Sequence, residues 1–171
     1  SRAFEDSLRK RNISYRVYGG LSFYQRKEIK DVLAYLRLII NENDEEAFKR
    51  VINFPTRGIG QTTINKLVIQ ANTLNKSLYS LCKELDRSEV NISSGIKLKV
   101  SNFINLIESF KISSKTKNAF DIANEVVNDT GIIKTYSALT SIEDQAKIQN
   151  IEEMLNLSLI HISEPTRPNF I

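Results

Sequence analysis

The 171-residue sequence has few of the residues that stabilise small secreted domains or long β-sheets. It contains one cysteine, one methionine, one histidine and no tryptophan, with three prolines and six glycines. A single cysteine, Cys82, cannot form an intramolecular disulfide, so a disulfide-stapled domain is excluded. The scarcity of proline and glycine favours long helices over a β-rich chain, which needs a turn about every ten residues.

Long apolar runs and a strong charge of one sign are also lacking. No run approaches the roughly 20 apolar residues of a membrane span, and no signal-peptide pattern is present. We therefore expect a reduced, soluble, cytoplasmic protein with no membrane partner. The net charge is only +4, and all of the excess lies in residues 1–60, which hold 12 basic and 8 acidic side chains. This local excess is consistent with a polyanionic partner, and equally with a solvated surface that has no partner.

The spacing of apolar residues predicts a mainly α-helical fold. A short helix and an alternating strand end near Tyr18, and helical periodicity then continues to about Leu155. An unpaired strand is marginal in water, so we interpret residues 1–18 as an α/β stub of a neighbouring domain. The predicted helices cover residues 22–41, 44–54, 61–71, 77–85, 96–112, 119–128 and 142–155, with a helix stop at Thr130-Gly131.

Residues 157–171 do not continue this periodicity. Two of the three prolines of the chain stand at Pro165 and Pro168. We expect a disordered tail here, or a segment foreign to the natural gene.

No pattern for catalysis or for nucleotide binding is found. Cys82 lies on an apolar helical face and is interpreted as core packing rather than as a nucleophile. His161 has no Asp, Cys or second His at ligand spacing, which argues against a metal site and against a catalytic dyad. Neither a Walker A loop nor a dinucleotide fingerprint occurs. The chain itself is therefore expected to hold no cofactor and to catalyse nothing.

One segment has the residue types needed to hold a phosphate group. Residues 54–67 place a helix, a Gly58-Ile59-Gly60 turn and a second helix in order, which is the pattern of a helix-hairpin-helix unit. Both glycines permit positive φ and the close approach of another backbone, and Ile59 can fill the gap between the helices. Free N–H groups at the start of the second helix attract anions. The predicted contacts to the DNA backbone are Thr56, Arg57, Gly58, Ile59, Gly60, Thr62, Thr63 and Lys66.

The alternative interpretation is that the Gly-Ile-Gly sequence is only a tight turn between core helices. The two flanking helices, Arg57 directly before the turn and the basic excess of residues 1–60 favour DNA binding.

A second segment, residues 19–31, joins the predicted strand to the first long helix. Gly19 and Gly20 are predicted to act as a hinge, because a hinge needs a few residues that absorb large φ/ψ changes. The basic residues that follow are expected to pair with Glu28 and Asp31 at helical spacing rather than to contact DNA.

These segments resemble a known family. The sequences YRVYGG (15–20), FYQRKEIKD (23–31), AYLRL (34–38) and NFPTRGIG (53–60) closely resemble the UvrD/PcrA/Rep family of superfamily 1 DNA helicases, and residues 144–153 do so more weakly. The resemblance covers roughly residues 1–156.

The resemblance implies both a domain organisation and a function. Residues 1–18 would be a fragment of the second RecA-like motor domain (2A), and residues 19–156 would be part of the helical 2B subdomain inserted into it. The family's Gly-Ile-Gly turn is associated with duplex DNA ahead of the fork. The parent protein would be an ATP-dependent 3′-to-5′ DNA helicase whose ATP and Mg sites lie outside this chain, so the implied partners are DNA and the rest of the motor.

Three functions remain open at this point. The chain is predicted to be an accessory subdomain that contacts the backbone of duplex DNA. The alternative is a regulatory or protein-interaction module that controls the motor, with incidental DNA contact. An independent glycosylase or nuclease is disfavoured, since no Asp, Glu, Lys or His constellation accompanies the turn.

Overall fold

A computed structural model describes residues 21–163, with side chains described for residues 22–158. Across this range the chain is helical and forms no β-strand, which confirms the predicted mainly α-helical fold. The predicted stub at residues 1–18 and the predicted hinge at Gly19 and Gly20 lie outside the described residues. The helices are α1 (Leu21–Tyr24), α2 (Lys27–Ile40), α3 (Glu45–Val51), α4 (Gln61–Thr73), α5 (Leu78–Lys83), a 3-10 turn (Leu85–Arg87), α6 (Ser94–Ser113), α7 (Ala119–Asp129), α8 (Ile132–Ser137) and α9 (Ile142–Ser163).

The chain divides into two compact units. Within the described residues, the first unit combines residues 21–33 with residues 116–163, and the second consists of residues 34–115. In the first unit α7, α8 and α9 pack against one another. Lys27 and Asp31 form an ion pair of 2.7 Å in this unit, as the helical spacing predicts. None of the helices in residues 21–163 combines the length and the apolar character needed to cross a membrane.

The second unit is built around α5, which packs against α3, α4 and α6. Its core contains three aromatic rings in edge-to-face contact, a favourable geometry for such pairs. The Phe48 ring lies 6.1 Å from that of Tyr79 and 5.5 Å from that of Phe103, measured between ring centroids. Cys82 is buried in the same unit, which confirms its predicted packing role.

Polar caps set the first residues of several helices. Asp44 accepts a hydrogen bond from the Ala47 N–H and so begins α3. Serine caps begin α5 and α6, and an asparagine cap begins α7. These helix starts follow from local sequence because each cap bonds to a backbone N–H three residues later.

The structure corrects the sequence prediction at three places. The helix predicted from residue 22 is interrupted by a turn at residues 25–26. A short helix that the sequence analysis missed, α8, follows Gly131, whose φ is 88°. Helix α9 runs to Ser163, beyond the boundary expected after Asn156. Residues 164–171 of the predicted tail lie outside the described residues.

The extension of α9 has a simple cause. Ile151, Met154, Leu155 and Ser158 are all buried, and their i, i+3, i+4, i+7 spacing forms one face of a helix. Ser158 is a polar residue at the fourth position, and its hydroxyl donates to the Met154 carbonyl oxygen at 3.2 Å. Leu157 is buried as well, so the buried face continues past Asn156.

Candidate nucleic-acid interface

The segment between α3 and α4, residues 52–60, forms an ordered turn in the second unit. Asn53 Oδ1 accepts hydrogen bonds from the Arg57 N–H at 2.8 Å and from the Ile59 N–H at 3.1 Å. The Ile59 side chain is fully buried, as predicted for a residue that fills the gap between two helices. One side-chain oxygen and one buried side chain therefore hold the turn. The sequence analysis missed the role of Asn53.

The two glycines of the turn differ in conformation. Gly58 has a φ of 79°, in the left-handed region that side chains disfavour, as predicted. Gly60 has a φ of −80° and a ψ of 170°, and no neighbouring atom lies within 4 Å of the position that a Cβ would occupy. The expectation of positive φ or close backbone approach at Gly60 is therefore wrong. Gly60 instead serves as the N-cap residue of α4.

The Arg57 side chain is directed at the end of α3. Its Nη1 donates to the carbonyl oxygens of Val51, Ile52 and Phe54 at 2.8, 3.1 and 3.2 Å. The last carbonyls of a helix lack intrahelical partners and carry partial negative charge, so a guanidinium stabilises them. Arg57 thus closes the C-terminal end of α3.

Arg57 is also held from two other elements. Its Nη2 donates to Tyr35 Oη at 2.6 Å, and Tyr35 Oη in turn donates to the Phe54 carbonyl oxygen. The guanidinium carbon lies 5.0 Å from the centre of the Phe103 ring, within the range of a cation–π contact. The half-buried guanidinium therefore joins α2, the end of α3 and α6.

The other predicted contacts lie on the solvent side of the turn. Thr56, Gly58, Gly60, Thr62 and Lys66 are exposed, while Thr63 is half-buried. Gly60 provides no side chain to accept from the first N–H groups of α4, so these donors have no side-chain cap. Lys66 Nζ donates to the Asn91 carbonyl oxygen at 3.2 Å. This partner is neutral, so it does not cancel the positive charge of the ammonium.

A further cation, Lys99 of α6, reaches the turn. Its Nζ lies only 2.7 Å from the position that a Cβ on Gly58 would occupy. Lys99 is exposed, and among the described residues it forms no ion pair. The sequence analysis did not identify Lys99, because no local pattern tells which face of α6 covers the turn.

Other lysines of the second unit form ion pairs with nearby carboxylates, which offset their positive charge. Lys111 pairs with Glu42 and with Glu108, and Lys76 pairs with Glu84 at 2.9 Å. These ion pairs offset positive charge away from the turn. Lys66 and Lys99 are exposed and form no ion pair among the described residues, and Lys99 lies next to Gly58.

A metal site would need several His, Cys, Asp or Glu side chains close together. Among the described side chains, residues 22–158, no group of three or more such residues could hold a metal ion. Burial raises the pKa of the Cys82 thiol to about 12, which keeps that side chain protonated at neutral pH.

Comparison with known proteins places this chain in a family. The family described as "UvrD-like helicase C-terminal domain" matches residues 1–165. DNA helicase II of Salmonella typhimurium is 34% identical over 155 residues, which is 91% of this chain and 21% of that protein. ATP-dependent DNA helicase PcrA of Bacillus subtilis is 32% identical over 158 residues, 92% of this chain and 21% of its own length. The chain thus spans about a fifth of these relatives, and it belongs to the UvrD-like helicase C-terminal domain family.

Proposed function

We propose that this chain is an accessory subdomain that contacts the backbone of duplex DNA within an ATP-dependent 3′-to-5′ DNA helicase. The observation that carries the proposal is the exposed, uncapped N-terminus of α4, preceded by the Gly58 turn and flanked by Lys66. The chain would contribute binding and catalyse no step. Two relatives bear the names DNA helicase II and ATP-dependent DNA helicase PcrA, and this supports a helicase parent.

Two kinds of donor would act on a phosphodiester at this place. Backbone N–H groups at a helix N-terminus point along the helix axis toward solvent and favour negative charge. The hydroxyls of Thr56 and Thr62 and the Lys66 ammonium would add contacts to phosphate oxygens. Such contacts position DNA without reading its bases, so the binding would not depend on sequence.

The proposal treats α3, the turn and α4 as a helix-hairpin-helix unit. Residues 1–18 would belong to motor domain 2A and residues 19–156 to 2B. ATP and Mg would bind to the motor, which would be the protein partner of this chain. Gly19 and Gly20 would be the hinge between the two parts.

The test is a titration of a fluorescent forked duplex with the 171-residue chain at 50 mM salt. Replacing Lys66 by Glu is expected to weaken binding about tenfold, because a lost phosphate contact forfeits counterion release. Lys115→Glu, at an exposed lysine beyond the end of α6, is the matched control and should change affinity less than twofold. Equal effects of the two substitutions would contradict the proposed contact surface.

The regulatory alternative makes a different prediction in the same assay. A module that controls the motor with only incidental DNA contact would lose no more affinity for the duplex on Lys66→Glu than on Lys115→Glu. That result would reject the DNA-contacting function and favour the protein-interaction role.

A further inference from the structure

We propose that Lys99 supplies the cation that meets a DNA phosphate at the Gly58 turn, whereas Arg57 is a positioning residue that shapes the turn from inside. The inference rests on the proposed function and deepens it by assigning separate tasks to two basic residues. Its ligand is a phosphodiester of the DNA backbone.

The contacts of Arg57 leave its charge directed inward. Its two terminal nitrogens donate to three carbonyl oxygens at the end of α3 and to the Tyr35 hydroxyl, at 2.6 to 3.2 Å. The Phe103 ring covers the guanidinium. A phosphate ligand at this position would have to compete with all of these partners at once.

Lys99 has the opposite environment. The residue is exposed, and its ammonium forms no ion pair among the described residues and lies against the face of Gly58 where other residues carry a Cβ. A side chain on residue 58 would occupy the place of the ammonium, so a glycine here both permits the φ of 79° and makes room for the cation. The lysine stem is flexible and delivers a point charge, which suits a phosphate oxygen.

Helix α6 connects these two roles. Lys99 stands four residues before Phe103, so both side chains lie on the same helical face, one turn apart. The contact between Arg57 and Phe103 holds the turn against that face. Arg57 thereby sets the position of the turn beneath Lys99 without itself contacting DNA.

The test is the salt dependence of duplex binding, measured by fluorescence anisotropy on the full 171-residue chain. Each phosphate neutralised contributes about −0.9 to the slope of log K against log salt. Two lysine contacts, from Lys66 and Lys99, give a slope of about −1.8, or roughly a twelvefold loss of affinity between 50 and 200 mM salt. Lys99→Ala is expected to halve the slope to about −0.9, whereas Lys115→Ala should leave it unchanged.

Arg57→Lys tests the positioning role, since it keeps the charge and removes the planar fork of donors. We expect weaker binding with an unchanged slope, together with faster hydrogen exchange at the Ile59 amide. Tyr35→Phe removes only the hydroxyl that accepts from Arg57, and it provides a milder variant if Arg57→Lys unfolds. It should change affinity in the same direction, again without changing the slope.

Four results would overturn the proposal. If Lys99→Ala leaves the salt slope unchanged, as expected for Lys115→Ala, then Lys99 does not contact the phosphate. The proposed function would still stand, provided that Lys66→Glu weakens binding. An Arg57→Lys variant with wild-type affinity, or a Tyr35→Phe variant with a reduced slope, would reject the positioning role. Wild-type binding that is absent or independent of salt would reject this inference together with the proposed function.

Discussion

The Asn53 side chain holds the Gly58 turn through one oxygen atom, and its removal is expected to loosen that turn directly. In the Asn53→Ala variant the N–H groups of Arg57 and Ile59 lose their acceptor, at 2.8 and 3.1 Å respectively. Each such hydrogen bond contributes a net stabilisation of about 1 kcal/mol. Asn53 is half-buried, so water can reach the two N–H groups once the side chain is removed. For the two bonds together we therefore expect a loss of about 2 kcal/mol in the free energy of unfolding.

Urea denaturation followed by circular dichroism measures this loss. With an m-value of about 2 kcal/mol/M, the unfolding midpoint should fall by about 1 M. Hydrogen exchange measures the local effect. From wild type to variant, the exchange rates of the Arg57 and Ile59 amides should increase more than those of the amides within α6.

The matched control is Asn53→Asp. This substitution keeps an oxygen at the accepting position, and a charged acceptor forms stronger hydrogen bonds. Stability should stay within about 0.5 kcal/mol of the wild type. The new negative charge lies beside the proposed phosphate site, so DNA affinity should fall even though the turn is kept. A loss below about 0.5 kcal/mol for Asn53→Ala, or a loss without faster exchange at the two amides, would refute the reasoning.

Three further predictions concern separate parts of the molecule. Gly58→Ala should lower the free energy of unfolding, measured by urea denaturation, by about 1–2 kcal/mol, because the φ of Gly58 is 79°. Gly60→Ser should instead stabilise α4 by roughly 0.5 kcal/mol through a new cap. Equal effects at both positions would contradict the different conformations of the two glycines. The hydrogen bond from Arg37 holds the pKa of the Asp44 carboxyl below its ordinary value, so its contribution is complete above about pH 5 and is lost as the pH falls through the folded-state pKa. The stability difference between wild type and Asp44→Asn should accordingly shrink in denaturation curves as the pH falls through the folded-state pKa, and a constant difference would refute the ion pair. Burial raises the pKa of Cys82 to about 12, so the thiol should react with a disulfide reagent at pH 8 only after unfolding; rapid reaction of the folded chain would contradict its buried position.

The helices of this chain could be predicted from sequence where their signals are local. Asp44 as a cap, the start of α4 directly after Gly60 and the apolar spacing of α6 are each read within a few residues. The prediction failed where a local signal was interrupted or continued further than expected. The turn at residues 25–26 divides an apolar pattern that looks continuous, and α9 continues through the buried Leu157 and Ser158 past the expected boundary at Asn156.

The candidate site could be predicted only in part. The Gly58-Ile59-Gly60 pattern pointed to a turn with a buried Ile59 and a positive φ at Gly58, and both features are present. Whether the eight predicted residues contact DNA stays a prediction. The pattern did not reveal that Asn53 holds the turn, since an asparagine before a turn has many possible partners.

By itself, the sequence determined the helical class of the protein, most helix boundaries and a family resemblance that the comparison confirmed. These properties depend on periodicity, caps and turn residues, which act over a few neighbouring positions. Only the tertiary structure decided that Arg57 bonds to the end of α3 and that Lys99 lies over Gly58. Both facts depend on how helices distant in the chain pack together, because packing determines which charged groups find partners inside the protein and which remain exposed to a ligand.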